Sequence, residues 1–173
     1  CDAVERACGL RPEIKWTNDL ISGGRKLSGI LTELSIEAES GHVQYAVLGI
    51  GVNCCQGPGD FPPEVADKAG SLAMALGGPV DRNRLAAEMI QKGGLVAFPT
   101  ETVYGLGADA LNAEAVGKVY AAKGRPSDNP MIVHIAQKSD MNKLTDGITP
   151  EVERLMEAFW PGPLTMVVPA KDV

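Results

Sequence analysis

Only two histidines, His42 and His134, occur in the 173 residues, and the four cysteines, Cys1, Cys8, Cys54 and Cys55, show no C-x-x-C spacing. Zinc sites are built from close sets of such ligands, so no metal site is expected. Secretory-leader pattern is absent, and no apolar run reaches the roughly 18 residues of a membrane span. Reduced thiols in a cytoplasmic protein without a membrane partner follow as the expectation. There is no internal repeat and no low-complexity linker. A basic excess is missing too: the formal charge is −6, of which −4 falls before residue 91 and −2 after it. Neither part binds polyanions by charge alone, and any RNA contact would need a local basic patch. What is present is ordinary globular composition, 45% apolar and 22% charged, enough for one medium domain or two small ones with a real core. Opening on Cys1 rather than Met, the chain reads as a fragment.

Val4, Ala7 and Cys8 recur at helical spacing ahead of Gly9, and "RPEIKW" leads into extended structure. "GRKLSGILTELSIEAESGHVQYAVLGIGVN" holds two β-rich runs around Glu39-Ser40-Gly41-His42, with Val43, Tyr45 and Val47 alternating, and predicts an antiparallel hairpin. "CQGPGDFPPEVADKAG" is a loop. Asp81 N-caps "RNRLAAEMIQK", which Gly93-Gly94 ends before the strand "LVAFPT". Asn112 caps "AEAVGKVYAAK", with Val116, Val119 and Tyr120 as its apolar stripe up to Gly124. "MIVHI" predicts a short buried strand and "PLTMVVPA" a last one. Between them Thr149-Pro150 begins a helix with Val152, Leu155, Met156 and Phe159 inward. The fold class is α/β (α+β).

Residues 15–33, "KWTNDLISGGRKLSGILTE", concentrate the first candidate chemistry. Asp19, Arg25 and Lys26 fall near strand ends, and Gly23, Gly24 and Gly29 allow a ligand close to the backbone. Lysine is a mobile point charge able to follow a phosphate or carboxylate, and a buried carboxylate can orient it. In "GIGVN", Asn53 offers donors and acceptors to an adenine edge. On spacing alone, a hairpin with surface charges and turn glycines explains the stretch equally well.

In order, "KWTNDL", "GRKLSGIL.E" and "GIGVN" make residues 1–90 resemble the catalytic domain of biotin protein ligases, which form biotinyl-AMP from biotin and ATP and acylate a carrier-protein lysine. The resemblance implies Lys26 as the catalytic lysine beside biotin's carboxylate and the ATP α-phosphate. It also implies Asp19 as the acidic residue next to it, Gly29 and Ile30 on the biotin-contacting strand, and Asn53 on the adenine side. Thr17 stands where that family usually has proline, which alters loop stiffness. The family's Arg- and Gly-rich loop, which closes over the ligands, would lie upstream of Cys1.

"GGLVAFPTETVYGLGADA", residues 93–110, runs from a strand into hydroxyls and spaced glycines able to hold a small polar ligand. "KGRPSDNP", residues 123–130, sets Lys123 and Arg125 past a helix C-terminus, where cations also occur merely to complement the dipole. With "MIVHI" and "FWPGPLT", these make residues 86–173 resemble YrdC-type threonylcarbamoyl-AMP synthases, which combine threonine, bicarbonate and ATP toward modification of adenosine 37 in tRNA. The resemblance implies Thr100, Thr102, Tyr104 and His134 around threonine. Lys123, Arg125, Ser127 and Asn129 would lie at the nucleotide, with Lys123 and Arg125 catalytic. A core histidine satisfied by a carbonyl is the other reading of His134, and Pro161-Gly162-Pro163 is a structural turn. That family continues with a Ser-Ala-Asn segment beyond Val173.

The resemblances overlap in "RLAAEMIQK", whose Leu85, Ala86, Met89 and Ile90 form one face opposite Glu88, Gln91 and Lys92, so it docks on one core only. The expectation is a partial biotin-ligase-like mixed sheet, residues 1–90, joined in frame to a partial YrdC-like twisted sheet, residues 91–173. Both parents form acyl-adenylates by charge placement, with Mg²⁺ accompanying ATP. Biotin carboxyl carrier protein is the implied partner of the first part and tRNA or double-stranded RNA of the second. Family is better marked than activity, since each part lacks a wall of its pocket. A non-catalytic RNA-binding module and an inactive chimeric remnant are the alternatives.

Overall fold

The computed structural model describes residues 1–37, 43–100, 103–124 and 130–171, and of 33–35 and 43–47 the backbone only. It has mixed α and β structure with antiparallel sheets, the expected class. Two compact units part at residue 123/124.

The first unit opens with α1, Asp2–Cys8, ended by Gly9 at φ 74° in the left-handed cap that glycine adopts freely. Four strands follow in the order β1 (Glu13–Lys15), β2 (Asp19–Ser22), β3 (Arg25–Ile36) and β4 (Val43–Val52), all antiparallel. The expected β3–β4 hairpin is present, and its turn, 38–42, lies outside the described residues. Gly23 and Gly24, at φ 55° and 76°, make the two-residue turn between β2 and β3. Positive φ at both central residues matches the twist of the flanking strands, so this pair serves the turn rather than a ligand.

The loop 54–70 carries a short 3₁₀ turn at Pro58–Asp60 and returns to β3 by an isolated parallel bridge between Lys26 and Ala69. Ser71 then N-caps α2, Leu72–Leu76, through its Oγ. Asp81 caps α3, Arg82–Gln91, by accepting from the Asn83 and Arg84 N–H groups. The core joins Val4, Leu27, Leu72 and Leu85, with Met89, Cys8 and Cys54 packed against it. Helix α3 therefore gives its apolar stripe to this core. Glu88, expected on the solvent side, has its Oε2 buried, because it lies three residues from Leu85 and so on the same side of the helix.

Strands β5 (Val96–Pro99) and β6 (Tyr104–Gly107) form a second, two-stranded sheet. Asn112 caps α4, Ala113–Lys123, as expected, with Ala115 and Val119 buried. Helix α3 touches both α1 and β5, within the one unit that residues 1–123 form.

The second unit contains α5, Met141–Leu144, and α6, Pro150–Phe159, the latter capped by Thr149 as the sequence predicts. Three expectations fail here. "MIVHI" and "PLTMVVPA" are not strands: a strand exists only by pairing, and among the described residues of this unit none pairs. Ile132 and Val167 are accordingly exposed. Of the expected inner face of α6 only Met156 is buried, while Leu155 and Phe159 face solvent, because this small unit has too little surface to cover a full stripe. Pro161–Pro163 does turn, held by the Trp160 indole N–H donating to the Leu164 carbonyl (2.8 Å). Among the described residues no helix is long and apolar enough to cross a membrane.

These burials set an expected contrast. Leu85→Ala should cost about 2–5 kcal/mol of the first unit's stability. Phe159→Ala, at 58% exposure, should cost far less. Urea unfolding of the two variants, followed by circular dichroism, checks the order.

Candidate functional site

The Lys26 ammonium is ion-paired with Asp19 Oδ1. How they meet follows from register. Asp19 stands opposite Gly29, and Ile21 opposite Lys26, with an irregularity between Leu20 and Ile21. Residues two apart on β2 thus face residues three apart on β3, which is a bulge of one residue. The extra residue carries two consecutive side chains inward, Leu27 (1% exposed) and Ser28 (3%). It thereby returns Lys26 and Gly29 to the face that holds Asp19.

Gly29 then gives the lysine its path. A Cβ there would lie 3.1 Å from both Lys26 Cε and Nζ and 3.8 Å from Asp19 Oδ1. The lysine stem crosses the backbone where any side chain would crowd it. Asp19 Oδ1 is buried and makes no hydrogen bond of good geometry among the described residues, so the ammonium is its compensation. The lysine side chain is 46% exposed and the aspartate's 21%. A pair this open is worth on the order of 1 kcal/mol or less and can exchange its partner.

The strand end is held from two sides. Asn18 brackets Ile30: its carbonyl accepts from the Ile30 N–H (2.9 Å) and its Nδ2 donates to the Ile30 carbonyl (2.9 Å). Lys26 N–H donates to the Lys68 carbonyl (2.7 Å), and Gly70 N–H donates to the Lys26 carbonyl (2.9 Å). Arg25 does not reach toward a ligand; its guanidinium donates to the Ala66 (2.8 Å) and Ala69 (3.1 Å) carbonyls and holds the same loop. Asn53 Nδ2 donates to the Gly70 carbonyl (3.0 Å), which commits one of its two side-chain N–H donors. Asn18 and Gly70 were not singled out from sequence; a carbonyl-bracketing amide and a glycine with no room for a Cβ leave no periodic trace.

Concavity and chemistry do not coincide. An open groove of about 590 Å³ runs between Gln56–Pro58 and Pro79–Val80, and Lys26, Asp19 and Gly29 are not among its lining residues.

In the β5–β6 hairpin, Thr100 closes the turn: its hydroxyl bonds the Val103 carbonyl, and the Val103 N–H donates back to Thr100 Oγ1 at 3.3 Å. Tyr104 is 76% exposed. Gly105 faces Phe98, and Cβ atoms at Gly105 and Gly107 would sit 3.0 and 2.8 Å from the Phe98 ring. The spaced glycines make room for an aromatic ring that covers them. Lys123 ends α4, exposed. Thr102, Arg125, Ser127 and Asn129 lie outside the described residues. His134 is exposed rather than core, with Nδ1 3.2 Å from the Ile132 carbonyl.

Residues 88–173 match the family model described as telomere recombination, Sua5/yciO/yrdC, and residues 9–53 match the biotin/lipoate A/B protein ligase family. Both resemblances hold. The threonylcarbamoyl-AMP synthase of Pyrococcus abyssi is 56% identical over 90 residues, covering 52% of this chain and 26% of the relative. The bifunctional ligase/repressor BirA of Bacillus subtilis is 46% identical over 79 residues, 46% of this chain and 24% of the relative. The solved P. abyssi Sua5 complexed with L-threonine superposes with a TM-score of 0.50 at 51% identity, over 54% of this chain and 28% of that one. The chain spans about a quarter of the length of each of these relatives.

The thiols beside Asn53 differ in environment. Burial pushes the Cys54 thiol up, with neighbouring Cys55 adding to it, and burial raises Cys8 as well. Cys55 is exposed. A raised thiol holds less thiolate at a given pH and a part-buried one is harder to reach, so with an aromatic disulfide reagent at pH 8 Cys55 should react first and Cys54 more slowly, read by mass spectrometry of the labelled peptides.

Proposed function

We propose that the chain joins two adenylate-forming segments in frame, and that in the first of them Lys26 receives the carboxylate of biotin beside the α-phosphate of ATP. The observation that supports this reading most directly is a half-exposed ammonium laid over a glycine and held by one carboxylate. Such a cation is oriented but not committed. As the carboxylate oxygen forms its bond to the α-phosphorus, the bond to the bridging oxygen of pyrophosphate breaks and the electron pair leaves with pyrophosphate. Negative charge gathers on the non-bridging oxygens meanwhile. An ammonium that slides from Asp19 toward those oxygens stabilises them without any proton transfer. Gly29 and Ile30 offer the backbone along which the acid lies, and Asn53 the base edge. ATP enters as its Mg²⁺ complex, and the lysine acceptor of the second step belongs to biotin carboxyl carrier protein.

For residues 88–173 the proposal rests on similarity: threonylcarbamoyl-AMP made from threonine, bicarbonate and ATP, destined for tRNA. Lys123 and Arg125 would face the phosphates, with Ser127 and Asn129 beside them, and Thr100, Thr102, Tyr104 and His134 would face threonine. The −2 charge of residues 91–173 argues that tRNA is met through a local patch rather than a general field. Substrates of this kind place the chain in the cytoplasm.

Calorimetric titration of a non-hydrolysable biotinyl-adenylate analogue into the chain should give binding that Lys26→Ala weakens about tenfold or more, the loss of one charge-assisted hydrogen bond of roughly 1.5–3 kcal/mol. Equal affinity in the variant would sink the assignment. In parallel, Lys123→Ala should weaken ATP and leave threonine nearly unchanged, because the cation faces phosphate charge whereas threonine is a small zwitterion. The reverse pattern would remove Lys123 from the nucleotide.

A further inference from the structure

Asn53 stands one residue past β4, where three chain segments meet. Its N–H donates to the Leu27 carbonyl (2.8 Å), its carbonyl accepts from the Leu72 N–H (2.9 Å), and its Nδ2 donates to the Gly70 carbonyl (3.0 Å). Gly70 is the common term. Its N–H grips the Lys26 carbonyl (2.9 Å), while Asn53 grips its own carbonyl. The fit allows no side chain, since a Cβ on Gly70 would lie 2.9 Å from Arg25 Cβ and 3.5 Å from Leu27 Cδ2. The Lys26 backbone is therefore fixed on both sides by residues 68–70, through Lys68 at its N–H and Gly70 at its carbonyl. The direction in which the Lys26 side chain leaves the strand, across Gly29 toward Asp19, follows from that backbone.

We propose that Asn53 is a positioning residue for Lys26, acting through the Gly70 backbone; this rests on the reading of Lys26 as the carboxylate-receiving cation. A buried or half-buried carbonyl that loses its donor finds another conformation or water. Removal of the Asn53 amide frees the Gly70 carbonyl, lets the 68–70 segment shift, and releases the backbone that aims the ammonium. One of the amide's two N–H donors is committed to Gly70, so a base held by that amide pulls on the same peptide that fixes the lysine. The two ends of the site are coupled through one glycine, and Asn53 has work to do when no nucleotide is present.

That last point is testable without substrate. The full chain is labelled with a trace of acetic anhydride, and mass spectrometry reads the acetylation rate of Lys26 relative to Lys15 and Lys138. In the unaltered chain Lys26, held over Gly29 by Asp19, should label more slowly than those references. Asp19→Asn removes the ion pair directly and should raise the Lys26 rate several-fold. Asn53→Ala should do the same while the reference rates stay fixed. Asn53→Asp, which keeps the volume but sets a carboxylate against the Gly70 carbonyl, should match it. If Asp19→Asn raises the rate and both Asn53 variants leave it at the original value, the positioning role is wrong and the Lys26 reading stands. If Asp19→Asn changes nothing, the ion pair does not hold the amine, and the reading and the inference fall together. A rise shared by all lysines in both Asn53 variants would make Asn53 a general structural residue and overturn the inference.

Discussion

A single inserted residue in β3 governs the first unit. With regular pairing, Lys26 and Ser28 would share a face and Gly29 would lie on the other; the bulge sets Lys26 and Gly29 together opposite Asp19 and turns Leu27 and Ser28 inward one after the other. One irregularity thus supplies a core anchor on one side and a cation over bare backbone on the other. The ladder hydrogen bonding that the bulge interrupts is taken up by residues 68–70, which pair with Lys26 in the parallel sense. Arg25 and Asn53 brace that segment from its two ends.

The site built this way is open. Lys26 keeps close to half of its side-chain surface, and water competes for every charge it meets. The grooves lined by Gln56 on the same unit do not include Lys26, Asp19 or Gly29 in their lining. In the hairpin of the YrdC-like part the Thr100 hydroxyl bonds the Val103 carbonyl across the turn and the glycines seat Phe98.

Much of this was legible in the chain, and the reasons for success and failure are physical. Caps at Ser71, Asp81, Asn112 and Thr149 act over two or three residues, and those at Asp81, Asn112 and Thr149 are readable as such in the sequence. The β3–β4 hairpin followed from alternation, and the two family resemblances from ordered motifs. The bulge was not legible, because Leu27-Ser28-Gly29 alternates no worse than a regular strand. Nor was the role of Gly70, which depends on a partner more than forty residues away. "MIVHI" failed for the opposite reason: its composition is that of a strand, but pairing is a property of neighbours rather than of the segment. On α6 the apolar stripe is real, and among the described residues only its Met156 is buried.

The seam between Lys26 and residues 66–70 also orders events in time. The β2–β3 turn closes over two glycines, and β3–β4 is a local hairpin, so the sheet needs little loop closure to form. The bonds that fix the Lys26 backbone come from Lys68 and Gly70, and the Arg25 bonds that hold the same loop cross 41 and 44 residues to Ala66 and Ala69. Closure entropy and contact order both put such links late on the folding path. The Lys26 end of β3 is thus expected to assemble after the sheet that carries it and to open before it.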